Sequence, residues 1–204
     1  MNAPVQRAAL GLLLFAAGPT AEALAQFDRE TDLADVSLSG QTPESIIILW
    51  PTFSFRLARL MIAKYGQPAD ASDHQLVWRD NGPWKTTIVY RVPQKERALG
   101  RSRGRLEQSV AYAVPADRLD ELARFDEEIE ADAKEGRLTA RSDDESDNLL
   151  ALNLADEILK GRRTLKDAVD FRRKATRLRD TGKSSPYLER LLFVPAGPPP
   201  ESPN

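Results

Sequence analysis

Charged side chains are segregated along this chain, and its basic segments are the residues best placed to do chemistry. Residues 117–147 contain 13 acidic and 5 basic side chains. Residues 160–183 contain 10 basic and 3 acidic ones, and residues 91–105 contain 6 basic and 1 acidic. Guanidinium and ammonium groups bind carboxylates and phosphates. The two basic segments therefore predict an anion-binding surface made of Lys95, Arg97, Arg101, Arg103, Arg105, Arg172, Arg173 and Arg177.

A second interpretation of these basic segments needs no ligand. A basic helix face can stay in contact with water and pair with acidic neighbours of the same fold. The formal net charge of the 204-residue chain is only −2, so a general attraction to nucleic acid is not expected. If a partner binds, we expect an envelope protein or an anionic envelope component, such as a lipid headgroup or a polyanionic glycan.

No residue pattern predicts a metal ion, a cofactor or a nucleophile. His74 is the only histidine, and its chain neighbours Ser72 and Asp73 cannot form a catalytic triad with it because they are adjacent. The acidic run at residues 143–147 lacks the glycine and the spacing of a calcium-binding loop. Acidic residues in the first turn of a helix instead complement the helix dipole.

Carboxylates leave one enzymatic alternative open. The chain has 31 acidic residues, and a pair of carboxylates is the machinery of glycan-cleaving enzymes. No spacing singles out two of them, so an envelope hydrolase is the alternative rather than the main hypothesis. The aromatic residues are expected in the core rather than in a sugar- or lipid-binding groove. They are Trp50, Trp78 and Trp84, with Tyr65 and Tyr90.

The first 25 residues predict export. Residues 1–7 carry one basic side chain, residues 8–17 are apolar, and Ala23-Leu24-Ala25 offers small residues to a signal peptidase. We predict cleavage between Ala25 and Gln26 and a periplasmic or secreted protein without a transmembrane segment. The apolar run has half of the roughly 20 residues that a membrane-spanning helix needs. Because cysteine is absent, disulfides and lipid attachment at an N-terminal cysteine are excluded.

Turn residues and alternating apolar residues predict about five strands built from hairpins. The clearest hairpin joins strands at 75–79 and 84–91, because Asn81-Gly82 supplies the positive φ that a tight turn requires. A third strand is predicted at 106–114. A second hairpin is predicted to join residues 128–133 to residues 137–142.

Apolar residues at helical spacing predict three to four helices. Two shorter helices are expected at 52–64 and 115–125. Ser142 begins a capping-box pattern before the strongest helix, at 143–160, and Thr164 can cap a last helix that ends near residue 179. Residues 187–194 are an apolar piece that is either a strand or a short helix.

These elements predict one α+β domain with an antiparallel sheet at residues 43–194. A polar segment at 26–42 is expected to be a flexible lead-in. The proline-rich residues 195–204 are expected to be a disordered tail.

Three short motifs carry a resemblance to known proteins. The motifs Trp50-Pro51-Thr52-Phe53-Ser54-Phe55, Lys64-Tyr65-Gly66-Gln67-Pro68 and Asn81-Gly82-Pro83-Trp84-Lys85 resemble those of a group of exported bacterial proteins with no assigned activity. The resemblance spans residues 50–161 and implies no active residues. The helix that ends before a tryptophan-bearing hairpin is also similar to small envelope-assembly modules. We therefore expect a non-enzymatic binding or accessory module of the cell envelope with a basic surface for an anionic partner.

Overall fold

The computed structural model describes residues 42–93 and 104–196. The predicted signal peptide with its cleavage site, the lead-in up to residue 41 and the tail from residue 197 lie outside the described residues. Four members of the predicted basic surface also lie outside them. These are Lys95, Arg97, Arg101 and Arg103.

The described strands form one antiparallel sheet, which confirms the predicted α+β fold. Its spatial order is β1-β2-β3-β4-β6-β5, and every neighbouring pair is antiparallel. The sheet has one strand more than the five predicted, because β1 is a two-residue strand that is too short to show alternation. The strands are β1 (Asp70–Ala71), β2 (Gln75–Asn81), β3 (Trp84–Tyr90), β4 (Leu106–Ala111), β5 (Ile129–Asp132) and β6 (Arg137–Ser142).

Six α-helices accompany the sheet in the described part of the chain, where three to four were predicted. The four predicted helices are present, and a 3₁₀ turn at Ala116–Arg118 precedes one of them. The two additional helices have five and four residues, and each begins with a proline in its first turn. The helices are α1 (Pro43–Ile47), α2 (Thr52–Tyr65), α3 (Leu119–Phe125), α4 (Glu145–Leu159), α5 (Leu165–Asp180) and α6 (Pro186–Glu189).

The hairpin between β2 and β3 forms where it was predicted, but its positive φ angles belong to Asp80 and Gly82 and not to Asn81. Asn81 pairs with Trp84, and Gly82 adopts a φ of 68°. That conformation costs glycine little because it has no Cβ atom. The register places Trp78, Thr87 and Gln108 side by side on the buried face of the sheet.

Apolar residues on this buried face belong to two core clusters. One cluster packs α2 against β2 and β3, and the other packs α4 against β4 and β6. Tyr65, the last residue of α2, contacts both clusters. Helix α4 is buried on several sides, as its apolar composition predicts, and Leu152, Leu154 and Ile158 have no exposed surface. Helix α4 is therefore the central helix of the described fold.

The cap of α4 differs from the prediction. Asp144 is the N-cap residue, and its Oδ1 accepts a hydrogen bond of 2.7 Å from the Ser146 backbone N–H. Ser142 instead bonds to the backbone of Asp144 and orders the turn before the helix. The capping-box prediction was wrong because the side chain of Glu145 turns into the protein and is not free to reach back to the cap.

We expect Asp144→Ala to lower the free energy of unfolding by about 1 kcal/mol, because an N-terminal N–H of α4 would lose its acceptor. Urea denaturation of the purified protein measures this change. Ser142→Ala is the matched control and is expected to cost about half as much or less, since its bonds lie outside the helix. A larger effect at Ser142 would contradict the assignment of Asp144 as the cap.

The C-terminal apolar piece is a short helix followed by irregular chain, not a strand. Helix α6 packs against α4, and Leu188 is buried there. The side-chain amide of Asn153, in the middle of α4, donates to the carbonyls of Tyr187 and Arg190 and accepts from the backbone N–H of Leu192. The buried side chain of Asn153 thus binds residues 187–192 to α4 through three hydrogen bonds.

Within the described residues, none of the helices combines the length and the apolar character that crossing a membrane requires.

Candidate functional site

The carboxylate of Glu145 is the centre of a polar cluster between the two cores. Glu145 is the first residue of α4, and its side chain is only 11% exposed. It accepts hydrogen bonds from the ammonium group of Lys64 and the hydroxyl of Tyr65, both at the end of α2. The indole Nε1 of Trp84 and the amide Nε2 of Gln108 each donate to its Oε1 at 2.9 Å. This one carboxylate therefore links α2, β3, β4 and α4.

The cluster continues under the sheet through two fully buried amides. Gln108 accepts a hydrogen bond of 3.1 Å from the amide Nδ2 of Asn148, one turn along α4 from Glu145. The same Nδ2 donates to the carbonyl of Leu106 in β4. Buried polar groups need such partners, and a connected network of them specifies one arrangement of the surrounding elements.

The electrostatics of the cluster keep Glu145 ionised. Burial raises the pKa of this carboxyl, but the hydrogen bonds from Lys64, Tyr65 and Gln108 together lower it below its ordinary value of 4.5. Burial, followed by the bond to Glu145, raises the pKa of the Tyr65 hydroxyl, so that hydroxyl stays protonated. At neutral pH Glu145 is therefore charged, and Tyr65 is the donor of the hydrogen bond between them.

This lowered pKa predicts an acid-sensitive contribution to stability. A carboxyl whose pKa is lower in the folded state stabilises the fold above its unfolded pKa, and loses that effect as the pH falls through the folded pKa. We expect the stability gap between the wild type and Glu145→Gln to be largest at pH 7 and to narrow below pH 4.5. Urea denaturation at several pH values measures the gap. A stability gap that does not change with pH would contradict a lowered pKa of Glu145 in the folded state.

Two hollows meet at the pair formed by Lys64 and Glu145. A hollow of about 680 Å³ lies between the outward side of α2 and the start of α4, and is lined by Phe53, Leu57 and Leu60 among others. A second hollow of about 420 Å³ lies on the other side of the pair, against Trp84 and the chain that follows α6. Ligand pockets are commonly of this size.

The carboxylates of the larger hollow already have structural roles. Asp143 forms a salt bridge of 3.0 Å with Arg105, Asp144 caps α4, and Glu145 binds the polar cluster. A hydrolase of the glycan-cleaving type needs one carboxyl that holds a proton as the general acid. Glu145 is ionised and cannot donate that proton. This hollow therefore offers the hydrolase hypothesis no free acid/base pair.

Three of the four described members of the predicted basic surface form salt bridges with carboxylates. Arg172 pairs with Asp126 at 2.5 Å and Arg173 pairs with Asp170 at 3.4 Å. Arg105, as described above, pairs with Asp143. Arg177 forms no salt bridge with a described carboxylate. The charges of α5 are thus largely balanced by acidic neighbours, which is the second interpretation offered for the basic segments.

A different exposed surface was not predicted from the sequence. Among the described residues, eight large apolar side chains are exposed, and four of them lie between residues 48 and 60. Residues 48–64 also carry three basic and no acidic side chains. We call these four apolar side chains together with two exposed arginines of α2 the α2 surface, which consists of Ile48, Leu49, Phe53, Arg56, Arg59 and Leu60.

The remaining sequence candidates have structural positions. His74 is exposed in the turn before β2, where its carbonyl accepts a hydrogen bond from Arg91. All three tryptophans are buried, as expected for core residues. In the described part of the chain, no group of three or more histidine or acidic residues could hold a metal ion.

The sequence contained only a weak signal for these sites. Glu145 stands in an acidic run whose neighbours face water, so its type and spacing gave no indication that it is buried. The α2 surface had a stronger signal, because the segment 52–64 has apolar residues on two faces rather than one.

Comparisons with known proteins found no match: no protein-family model, no curated protein and no solved structure is similar to this chain.

Proposed function

We propose that this protein is an exported, non-enzymatic binding module of the cell envelope that holds an anionic partner through the α2 surface. One observation carries the proposal: exposed apolar side chains and basic side chains occur together on this surface, and its segment has no acidic residue. Exposed apolar patches mark interaction sites on soluble domains. Basic residues beside them select a partner of negative charge.

The basic connection between β3 and β4 supports the same proposal through its described ends. Its described ends lie at the α2 surface: the guanidinium of Arg91 donates to the carbonyl of Leu49, and that of Arg105 stacks on the ring of Phe53 at 4.8 Å. The residues of this connection that were predicted to bind an anion lie, in the sequence, at or between these two ends. They are Lys95, Arg97, Arg101, Arg103 and Arg105.

Capture of a partner from envelope fractions tests the proposal. The mature protein, residues 26–204, is immobilised and exposed to envelope fractions at low and at raised salt. We expect one component to bind at low salt and to be released by salt, because ionic strength screens exposed charges. Substituting Arg101, Arg103 and Arg105 by alanine is expected to weaken this capture while the circular dichroism spectrum is unchanged.

The matched control changes the charges of α5. Arg172→Ala, Arg173→Ala and Arg177→Ala remove the same number of charges from the other predicted basic segment. Capture should survive these changes if the α2 surface and its neighbouring connection hold the partner. Absence of any captured component at either salt concentration would overturn the proposed function.

A further inference from the structure

We propose that the anionic partner is the surface of a lipid bilayer with acidic headgroups, on which the α2 surface lies. This inference rests on the proposed function and names the partner of that same site. It follows from the way in which the exposed apolar and basic side chains are arranged along the turn before α2 and along α2 itself.

The apolar side chains of the α2 surface are largely exposed, and Phe53 and Leu60 also line the hollow between α2 and the start of α4. Leu49 is 74% exposed and Ile48 is 69% exposed, and both lie in the turn before α2. Leu60 is 63% exposed two turns into the helix. Protruding apolar side chains suit a deformable partner, because acyl chains can close around them, whereas a folded protein would need matching pockets.

The basic side chains lie between these apolar positions. Arg56 and Arg59 project from the outward face of α2, opposite the buried Leu57, Ala58 and Met61. Neither arginine forms a salt bridge with a described carboxylate, unlike Arg172 and Arg173 of α5. Interfacial helices share this composition, with apolar residues that enter the headgroup region and arginine or lysine residues that bind acidic lipids.

The acidic residues near the α2 surface do not cancel its charge. Asp143 is occupied by Arg105, and Asp144 is held at the cap of α4. Glu44 accepts a hydrogen bond from Gln67, which, with a smaller contribution from Arg59, lowers the pKa of Glu44. Glu44 thus attracts Arg59 weakly, but no described carboxylate holds Arg56 or Arg59 in a salt bridge, and both can contact lipid phosphates.

Co-sedimentation with vesicles tests the proposal. The mature protein is mixed with vesicles of phosphatidylglycerol and phosphatidylethanolamine, or of phosphatidylcholine alone, at low and raised salt. We expect binding to the acidic vesicles only, with at least a tenfold lower partition coefficient at raised salt. Arg56→Gln with Arg59→Gln is expected to lower partition into acidic vesicles about tenfold. Leu49→Ser with Leu60→Ser is expected to lower it by a similar factor.

Control variants on α5 separate a specific surface from general charge. Arg173→Gln with Arg177→Gln removes two charges from that helix, and Val169→Ser changes an exposed apolar residue there. Both should leave partition unchanged. Circular dichroism and thermal melting verify that every variant is folded. Equal losses for the α2 and α5 variants would overturn the proposal, because they would show that no particular surface binds the vesicles.

A soluble polyanion distinguishes failure of the lipid inference from failure of the proposed function. Polyglutamate labelled with a fluorophore is titrated with the same variants. Binding of polyglutamate through Arg56 and Arg59, without partition into acidic vesicles, would overturn the lipid surface as partner and leave an acidic protein in its place. Binding of neither probe would overturn both the inference and the anionic partner.

Discussion

Replacing Glu145 by alanine is expected to lower the free energy of unfolding by about 3 kcal/mol, the largest effect we anticipate for a single polar residue of this protein. The substitution removes the acceptor of three neighbouring donors: the hydroxyl of Tyr65, the indole of Trp84 and the amide of Gln108. An unsatisfied buried donor costs about 1–3 kcal/mol. Trp84 keeps part of its bonding because its indole also donates to Tyr65 at 2.9 Å.

Urea denaturation and thermal melting measure this loss, and the melting temperature is expected to fall by about 6–12 °C. Lys64→Met is the control, because it removes the charged partner of Glu145 and leaves the neutral donors in place. Lys64 is 52% exposed, so its ion pair is screened by water and its loss is expected to cost no more than about 1 kcal/mol. A Lys64 variant as unstable as the Glu145 variant would show that the ion pair, and not the buried donors, stabilises the junction of the cores.

Replacing Asn153 by alanine is expected to detach the C-terminal segment and to cost about 2–3 kcal/mol. The side chain is 1% exposed, and its amide satisfies the carbonyls of Tyr187 and Arg190 and the backbone N–H of Leu192. Alanine satisfies none of these groups. Because these backbone groups belong to the C-terminal segment that packs on α4, we expect this segment to open locally before the whole protein unfolds.

Hydrogen exchange at the Leu192 amide and limited proteolysis after residue 185 measure the detachment. The amide should exchange faster in Asn153→Ala, and cleavage near α6 should precede cleavage of the sheet. Leu188→Ala is the control for packing, since it removes a buried apolar side chain of the same segment and keeps the three hydrogen bonds. Unchanged protection of Leu192 in the Asn153 variant would contradict the role we assign to this amide.

Local patterns were sufficient for most of the secondary structure. The hairpin between β2 and β3 has Gly82-Pro83 as its two-residue loop, and Gly82 can adopt the positive φ of this turn because it has no Cβ atom. Thr164 caps α5 as its type predicts, since its side chain accepts from the backbone of Asp167. Such signals are contained in three to five neighbouring residues and do not depend on distant parts of the chain.

Two elements of the described fold were not predictable in this way. Strand β1 has two residues and exists because Asp70 and Ala71 pair with β2. Residues 187–194 could have been a strand or a helix, and the deciding contacts come from Asn153, more than 30 positions away in the chain. Strand β1 pairs with residues only five to seven positions away, but two residues are too few for an alternating pattern to show. The hydrogen bonds of residues 187–192 with Asn153 are long-range, and a local pattern carries no record of them.

The sequence alone determined the absence of disulfides, the antiparallel α+β architecture and the burial of α4, because composition and periodicity encode these features directly. The tertiary structure alone decided which charges remain free. It paired Arg172, Arg173 and Arg179 of α5 with carboxylates. It turned Glu145 inward among donors from three elements and left Arg56 and Arg59 exposed between apolar side chains. The physical reason is that the state of a charged group depends on the groups around it in space, and these come from distant parts of the chain.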